Sequence, residues 1–383
     1  MFRFITAGES HGPALTAMIE GLPAGLKISQ EQVNEDLRRR QQGYGRGGRM
    51  KIETDRAEFT SGVRFGETLG SPVTMVIHNR DWTNWQERMA PFGQEQGDAV
   101  TAPRPGHADL PGLLKYERED VRDILERASA RETAARVAVG SVARQLLALA
   151  GVDIISHVVN IGGVMADVSG CNYREIGERR QQSELACADP QAETAMIDAI
   201  TAARERGDSL GGTFEIIVSN VLPGLGSHVQ WDRRLDARLA GAMMSIQAIK
   251  GVEIGDGFAY AALPGSAAHD EIFYDADRRY YRDSNHAGGV EGGISNGNPI
   301  VVRGVMKAIP TLMKALRSVD ITNHETVRAN TERSDVCAVP AAAVVGEAMV
   351  AIVLAQCLLE KFAGDSVNDL LAAVDHYRRR LQR

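Results

Sequence analysis

The chain has 383 residues and a formal net charge of −7, with 44% hydrophobic and 24% charged residues. This composition is typical of a soluble globular protein with a large core, and the acidity argues against non-specific nucleic-acid binding. Length alone suggests about two domains. The four cysteines form no CxxC pair and have no histidine at metal-ligand spacing, which indicates a reduced compartment with neither a disulfide framework nor a metal site.

The chain begins with MFRFITAGESHG, whose apolar run is too short for a signal peptide, so we expect a cytoplasmic protein. Alternation or β-branching predicts strands at FRFIT, ALTAMIE, VTMVIH, DIISHVVNI, TFEIIVSN and PIVVRGVM. Helices are predicted for SQEQVNEDLRRRQ, the stretch after Ser129, WDRRLDARLAGAMMSIQA and the apolar run from Pro340. Glu347, near the middle of that run, favours a buried core helix over a membrane span.

Two stretches resemble each other, AMIEGLPAGL around Pro23 and IIVSNVLPGLG around Pro223. Each is an apolar run followed by a turn built on Leu-Pro. An internal duplication would explain the likeness, and so would turn chemistry alone. Both explanations stay open at the level of sequence.

The most unusual stretch is RRRQQGYGRGGRM at residues 38–50, with five arginines, four glycines and no acidic residue. Its glycines fit GxGxxG, but a dinucleotide site needs a strand before them and a helix after. Here Ser29 and Gln32 predict a capping box that opens a preceding helix, and the following MKIETDRAEFTSG is strand-like.

An RNA-binding arm would repeat the motif, whereas GRGG occurs once and Tyr44 is its only aromatic residue. A loop that closes on a small, highly charged ligand fits the composition, because arginine forks bind carboxylate and phosphate. A solvated basic loop is the remaining alternative.

Further turns combine residue types that bind anions or transfer protons. GESHG presents Ser10 and His11 after the first strand, and APRPGHADLPG carries Arg104 and His107 on a proline-stiffened loop. These pairs strengthen the case for an anion pocket.

Arg127 and Arg131 lie four residues apart in ILERASARETAARVAVG. On one helix they would face the same way and repel each other. Alternatively, Ser129 caps a new helix with Glu132 as its capping-box partner, which would aim the amides of the first turn at an anion. Either geometry suits a bound anion.

Six motifs stand in order over nearly the whole chain: GESHGPALTAMIEGLPAGL, DLRRRQQGYGRGGRMKIE, RPGHADLPG, ERASARETAARVAVG, NHAGGVEGGISNGNPI and RSDVCAVPAAAVVGEAMVAIVLA. Together they resemble the chorismate synthase family. The resemblance implies a 1,4 anti elimination of phosphate from 5-enolpyruvylshikimate 3-phosphate, giving chorismate with reduced FMN and no net redox change. It also implies an α+β fold, one domain over 1–383 with helices sandwiched between β-sheets, and a homotetramer.

The resemblance also implies roles for residues of this chain. The substrate would be bound by Arg40, Arg46, Arg49, Arg104, Arg131 and Arg333. Its anions would relieve the repulsion among these arginines, so an empty site should be loose. The flavin would contact Arg127, Ala128, Ser129, Gln247, Ala248, Gly292, Lys307, Ala308, Ile309, Pro310, Thr311 and Arg333. Family members usually have proline where Ala308 stands, which puts one backbone contact in doubt.

Four residues would act in the reaction. His11 would protonate the departing phosphate, a task suited to an imidazolium beside an anion. His107 would supply a proton near the flavin ring, Asp335 would serve the flavin N5 as base, and Ser10 would orient that end. Without the family, Asp335 reads as an ordinary acid at a helix N-terminus.

Two other functional classes were weighed, a nicotinamide dehydrogenase and an RNA-binding protein. A copurified yellow chromophore would argue against RNA binding, and stoichiometric use of nicotinamide would indicate the dehydrogenase. The chain has no large insertion, so we expect a separate flavin reductase rather than NADPH-dependent reduction by this protein. No nucleic-acid or membrane partner is expected.

Overall fold

The structure is a computed structural model that describes residues 2–48, 52–94, 97–331 and 335–382. Its α-helices are α1 (Gln30–Gln41), α2 (Asp109–Tyr116), α3 (Arg122–Ala128), α4 (Thr133–Leu149), α5 (Tyr173–Arg180), α6 (Pro190–Glu205), α7 (Leu235–Met244), α8 (Gly265–Ala268), α9 (Val339–Phe362) and α10 (Val367–Leu381). Short 3-10 helices cover Arg80–Asn84, Ala130–Glu132, Trp231–Arg233 and Gly257–Ala262.

The strands belong to two main sheets and four short hairpins. In chain order they are β1 (Arg3–Ala7), β2 (Ala14–Glu20), β3 (Glu58–Ser61), β4 (Val63–Arg64), β5 (Glu67–Thr68), β6 (Val73–His78), β7 (Asp153–Ile161), β8 (Val164–Met165), β9 (Gly212–Ser219), β10 (Ile249–Ile254), β11 (Phe273–Asp275), β12 (Arg279–Tyr281), β13 (Val290–Glu291), β14 (Ile294–Ser295), β15 (Ile300–Met306), β16 (Arg317–Val319) and β17 (Thr326–Arg328). The first main sheet has the order β1-β2-β6-β3 and the second β10-β15-β9-β7-β8, with antiparallel pairing.

Helices α4 and α9 lie between the two sheets. The inward residues of β2 and β6 pack on α4, while β7 and β9 pack on α9. The two helices touch at Gly140, where an added Cβ would lie 2.3 Å from the Cβ of Ala348. At Gly346 an added Cβ would lie 2.6 Å from the Ile216 side chain, so glycine permits α9 to approach β9 closely. The predicted α+β architecture with helices between sheets is confirmed.

All six predicted strands form, and the helix predicted from Pro340 is α9. One helix in the described residues, α9, is long and apolar enough to cross a membrane, but 89% of its most apolar window is buried in the fold. Its Glu347 is buried and accepts hydrogen bonds from Arg39, Arg144 and Arg180. The prediction of a buried core helix is therefore confirmed.

The segment before β3 differs from its prediction. A strand was expected throughout MKIETDRAEFTSG, but only Glu58–Ser61 pairs as one, and residues 50 and 51 lie outside the described residues. Gln41 hydrogen-bonds both the Glu53 carbonyl and the Asp55 amide, so side chains replace strand neighbours there. This irregular backbone directs the side chains of Glu53 and Asp55 into the interior, where both are buried.

The predicted capping box at α1 is half formed. Ser29 Oγ accepts from the Gln32 amide at 3.1 Å, as predicted. The Ser29 amide donates instead to Gln145 of α4, at 2.7 Å. Tertiary packing therefore takes the place of the reciprocal half of the box.

The proposed internal duplication stays a prediction. Pro23 follows β2 in the four-stranded sheet, and Pro223 follows β9 in the five-stranded sheet. Tyr377 donates a hydrogen bond to the Pro223 carbonyl, whereas Thr68 donates to that of Pro23. Each turn follows a strand of a main sheet, but the carbonyls of Pro23 and Pro223 accept hydrogen bonds from residues that are not equivalent.

Candidate active site

Loops from both halves of the chain surround one cavity of about 770 Å³. This volume lies in the upper part of the range of small-molecule pockets, roughly 300–1,000 Å³. The predicted site residues that line it are Ser10, His11, Arg40, Arg46, Arg104, His107, Ala128, Ser129, Arg131, Gln247, Ala248, Lys307, Ile309, Pro310, Thr311 and Asp335. Residues more than 300 positions apart are thereby brought together.

Two buried arginines that line the cavity share one carboxylate. Arg131 Nη1 donates to both oxygens of Asp55, at 2.6 and 2.7 Å, and Arg40 Nη2 donates to Oδ2 at 2.9 Å. Burial opposes ionisation of Asp55, but the two guanidinium groups outweigh it and hold the pKa of the carboxyl below its usual range. Burial, with the nearby charge of Arg131, lowers the pKa of Arg40 despite its pairing with Asp55.

The same two arginines keep some donors for a ligand. Arg40 Nε and Arg131 Nη2 are buried and make no hydrogen bond within the described part of the chain. Arg131 Nη2 lies 3.8 Å from Glu53 Oε2, which is beyond hydrogen-bond distance. A buried donor without a partner is costly, so these two groups suit an anion that enters the cavity.

Arg104 and His107 are organised by Asp109 at the start of α2. Arg104 Nε donates to Asp109 Oδ2 at 2.8 Å, and His107 Nδ1 hydrogen-bonds Oδ1. Although burial opposes ionisation of Asp109, the bonds from His107 and Arg104 lower the pKa of the carboxyl well below its usual range. Arg104 Nη1 also reaches Thr311 Oγ1 at 3.2 Å, which joins this loop to the segment after β15.

The glycine-rich loop is tied down by the segment before α9. The Gly47 amide donates to Asp335 Oδ1 at 2.6 Å, and Arg46 Nε lies 3.3 Å from Oδ2. Gly45 has φ of 90°, and an added Cβ would lie 3.3 Å from the Cβ of Cys337. The positive φ and the close approach both explain glycine at this position.

Carboxylates of the protein pair with the arginines of the cavity. Among the described arginines there, Arg40 and Arg131 are held by Asp55, Arg104 by Asp109, and Arg46 lies beside Asp335. These carboxylates relieve part of the mutual repulsion of the cations. The expectation that the site is loose without its ligand stays a prediction.

His11 is held on two sides. Its Nδ1 lies 2.9 Å from Glu126 Oε1, and its ring centroid lies 4.1 Å from that of Trp85. Ser10 Oγ donates to Ser129 Oγ at 3.2 Å, which links the first turn of the chain to the loop before α4. The imidazole thus lines the cavity in one fixed orientation.

The open question about Arg127 and Arg131 is settled by a break at Ser129. This residue is extended, with φ −62° and ψ 141°, so α3 ends and a 3-10 turn leads into α4. Ser129 Oγ accepts from the Arg131 amide at 3.3 Å, whereas Glu132 bonds Thr6, Arg136 and Gln247 instead of closing a capping box. The prediction that a new helix starts after Ser129 is therefore correct, but the prediction that Glu132 completes a capping box with Ser129 is wrong.

Two of the predicted flavin segments meet at Ala248 and Lys307. The Lys307 amide donates to the Ala248 carbonyl at 2.9 Å, and Lys307 Nζ donates to the Gly106 carbonyl. Burial, with the charge of Lys250, lowers the pKa of Lys307. Gln247 Nε2 donates to Glu132, while its Oε1 is buried without a hydrogen bond from the described residues.

Three predicted residues do not line the cavity. The Arg127 guanidinium donates to Thr6 Oγ1 and to the Thr6 and Gly8 carbonyls. Ala308 lies between two lining residues without lining the cavity itself, and Gly292 lies in the turn of the β13–β14 hairpin. Arg49 and Arg333 lie outside the described residues.

Sequence reasoning missed the acidic and aromatic partners. Asp55, Asp109 and Glu126 hold the cationic groups, and Asp81 and Trp85 line the cavity. Asp109 carried a signal, because it follows His107 by two residues within the same motif. The others stand far along the chain from the groups that they hold, so only the fold reveals them.

A cavity of this kind suits an enzyme that binds a small, multiply charged anion and moves protons on it. Buried cations supply binding energy, and two histidines and a carboxylate supply proton donors and acceptors. The comparisons with known proteins give this enzyme class a specific family.

The family model of chorismate synthase matches residues 2–359. A chorismate synthase from Desulforamulus reducens is 59% identical over 381 residues, covering 99% of this chain and 98% of that protein. One from Geobacter sulfurreducens is 58% identical over 386 residues, with 98% of each chain covered. A crystal structure of chorismate synthase aligns with a TM-score of 0.82 at 46% identity, over 100% of this chain and 98% of that one.

The chain belongs to the chorismate synthase family. It is a carbon–oxygen lyase of the shikimate pathway that eliminates phosphate from 5-enolpyruvylshikimate 3-phosphate, and its cofactor is reduced FMN.

Proposed function

We propose that the 770 Å³ cavity is where this chain carries out the elimination, with substrate and flavin bound side by side. The observation that carries the proposal is the pair of buried donors, Arg40 Nε and Arg131 Nη2, which have no hydrogen-bond acceptor among the described residues. The substrate bears two carboxylates and a phosphate, roughly four negative charges near neutral pH. Both arginines line the cavity, so an anionic group bound beside them would accept hydrogen bonds from their guanidinium groups.

The remaining arginines would bind the other anionic groups of the substrate. Arg46 and Arg104 line the same cavity, on the glycine loop and on the loop before α2. Arg49 and Arg333 are proposed from the family motifs alone. Bidentate arginine contacts fix the orientation of a planar carboxylate, so several of them position the ring as well as bind it.

The part of the cavity lined by Ser129, Gln247, Lys307 and residues 309–311 fits the flavin. Gln247 Oε1, buried without a hydrogen bond from the described residues, is suited to an N–H group of the ring system. Lys307 offers a cation in the same part of the cavity, and Thr311 a hydroxyl. Reduced FMN, when bound, supplies an electron that no side chain offers and recovers it at the end. Arg127, Ala308 and Gly292 remain predictions for this site.

The proton-transferring groups then divide between the two ligands. We assign His11 as the donor to the departing phosphate, because Glu126 accepts at Nδ1 and the ring lines the cavity. His107, which Asp109 hydrogen-bonds, holds a proton on the flavin side, and Asp335 is the base there. Ser10, bonded to Ser129, orients the flavin end.

Beyond the single chain, we propose one domain over 1–383, a cytoplasmic homotetramer and a separate flavin reductase. The continuous core that joins both sheets supports the single domain. Light scattering of the purified protein measures the assembly, and a mass other than that of four chains would contradict the tetramer.

An anaerobic assay of phosphate release tests the activity and the source of electrons. We expect release with chemically reduced FMN and none with oxidised FMN plus NADPH. No release in the first mixture would contradict the activity, and release in the second would contradict only the separate reductase.

A pair of arginine variants tests the cavity. Arg46→Ala should weaken substrate binding by about 1.5–3 kcal/mol, the worth of a hydrogen bond to a charged group. Arg174→Ala is the matched control. Arg174 is exposed on α5, and its ion-pair partner among the described residues is Glu178. Equal Michaelis constants in both variants would remove Arg46 from the binding site.

A further inference from the structure

The turn that carries His11 is anchored at one residue that the reaction as described above does not use. Glu126, in the last turn of α3, accepts the His11 amide at Oε2, 2.8 Å away, and His11 Nδ1 at Oε1, 2.9 Å away. The Glu126 carbonyl also accepts from the Ser10 amide at 3.0 Å. One residue therefore fixes both the backbone and the ring of the turn.

The Glu126 side chain is an ionised carboxylate held in the interior, with 2% of its surface exposed. Burial opposes its ionisation, but the hydrogen bonds from His11 and the charge of Arg122 outweigh burial and lower the pKa of the carboxyl. Arg122 Nη1 donates to Glu126 Oε1 at 2.7 Å, one turn earlier on the same helix. Arg122 therefore stabilises the negative charge of Glu126, while both carboxylate oxygens contact His11.

A carboxylate at Nδ1 determines which nitrogen of the imidazole bears a proton. An ionised carboxylate only accepts hydrogen bonds, so Nδ1 carries a hydrogen whether the ring is neutral or charged. Proton exchange with a ligand in the cavity then takes place at Nε2. The negative charge also stabilises the imidazolium that a general acid requires.

The ring is held on its face as well as at its edge. Trp85 lies against it at 4.1 Å between centroids, with 35° between the planes. Trp85 Nε1 donates to Asp81 at 3.1 Å, and the Arg122 guanidinium lies 4.8 Å from the Trp85 ring centroid. Glu126 is therefore in direct contact with the imidazole. Arg122 contacts Glu126 and Trp85, and Asp81 contacts Trp85.

We propose that Glu126 is a positioning residue for the elimination, which keeps a proton on His11 Nδ1 and stabilises the imidazolium that donates from Nε2. This inference rests on the proposed role of His11 as the acid. Glu126 contacts His11 and not the reacting atoms, so it acts through the histidine alone.

Glu126→Gln tests the charge while keeping the shape. One amide oxygen accepts both His11 donors, as Glu126 Oε2 does now at 2.8 and 3.0 Å, but the negative charge is gone. We expect turnover to fall roughly tenfold to hundredfold, less than the about 10²–10⁴ that a general acid contributes. The alkaline limb of the turnover profile should move to lower pH, because an uncharged neighbour no longer stabilises the imidazolium. The Michaelis constant and FMN affinity should stay within about twofold of the parent.

Glu126→Asp restores the charge one methylene further back and should return the alkaline limb toward the parent position. A structural role alone predicts the opposite pattern, in which turnover, Michaelis constant and FMN affinity deteriorate together and the limb does not move. That pattern would overturn the inference.

A double variant separates the failure of this inference from the failure of the proposed function. If Glu126 acts through His11, Glu126→Gln should cost nothing further in a His11→Ala background. Independent, multiplying losses would sink the positioning role and leave His11 as the acid. A His11→Ala protein with parental turnover would instead sink the proposed role of His11 as the acid.

Neutron diffraction on the unmodified protein gives a reading that needs no variant to fold. We expect a deuteron on His11 Nδ1, directed at Glu126. A bare Nδ1, or a deuteron on the Glu126 carboxyl, would overturn the inference.

Discussion

Replacing Asp55 by asparagine tests whether the cavity is arranged by its own carboxylates. The Asp55 side chain is fully buried and accepts three hydrogen bonds from two guanidinium groups, at 2.6 to 2.9 Å. Asparagine keeps the volume but removes the charge, and its amide presents N–H groups to other N–H groups. Breaking a buried ion pair from one side costs about 3–5 kcal/mol, and we expect a loss of that size in the unfolding free energy without ligand.

The substrate should recover part of this loss. In Asp55→Asn the two cations lack their shared counterion, so an incoming anion relieves more repulsion than in the parent protein. The assay is chemical unfolding with and without saturating substrate. We expect the substrate to stabilise Asp55→Asn by more than it stabilises the parent.

Glu347→Gln provides the matched control. Glu347 is equally buried and is held by Arg39, Arg144 and Arg180, none of which lines the cavity. Its variant should lose comparable stability and gain no extra stabilisation from substrate. The reasoning is refuted if substrate stabilises both variants equally, or if Asp55→Asn unfolds like the parent.

Three further predictions concern other parts of the molecule. Burial raises the pKa of Cys337 to about 11, so an alkylating reagent at neutral pH should label the partly exposed Cys171 and spare Cys337. Peptide mass spectrometry measures the labelling, and labelling of Cys337 in the folded protein would contradict its burial. Ser129→Ala and Lys307→Ala should each raise the FMN dissociation constant more than they affect substrate binding, and FMN titrations that overlay the parent would remove these residues from the flavin site. The arginines around Glu347 outweigh the effect of burial and lower the pKa of its carboxyl. The stability that Glu347 contributes is therefore present above the ordinary glutamate pKa of about 4.3 and is lost as pH falls below it. In urea unfolding, Glu347→Gln should lose less unfolding free energy than the parent between about pH 5 and 3, and parallel curves would contradict this.

Local patterns in the sequence predicted the regular elements well. Alternation along ALTAMIE and VTMVIH corresponds to the paired strands β2 and β6, because one face of each strand packs on α4. The apolar run from Pro340 is apolar on most faces because it lies between other elements. Such patterns are visible in sequence because each is repeated within a few residues.

The irregular segment from residue 52 to 57 could not be predicted in the same way. Its composition is compatible with a strand, but the side chain of Gln41 takes its backbone hydrogen bonds. That choice depends on the position of α1 in the fold, and no neighbouring residue signals it. The outcome matters for function, since this segment delivers Asp55 to the two arginines.

The cations of the site were visible and their counterions were not. Arginines and histidines beside glycine and proline stand out locally, whereas Asp55 and Glu126 look like ordinary surface acids. Glu126 meets His11 across 115 positions of sequence. Pairing at that distance follows from the packing of α3 against the first turn, so it becomes apparent only in three dimensions.

A crystal structure with oxidised FMN and 5-enolpyruvylshikimate 3-phosphate bound together would locate both ligands relative to the cavity residues. We expect the phosphate within hydrogen-bond reach of His11 Nε2, about 2.6–3.2 Å, with an anionic group beside Arg40 and Arg131 and the flavin against Gln247 and Lys307. A substrate phosphate remote from His11, or a flavin bound outside this cavity, would contradict the assignment of the site.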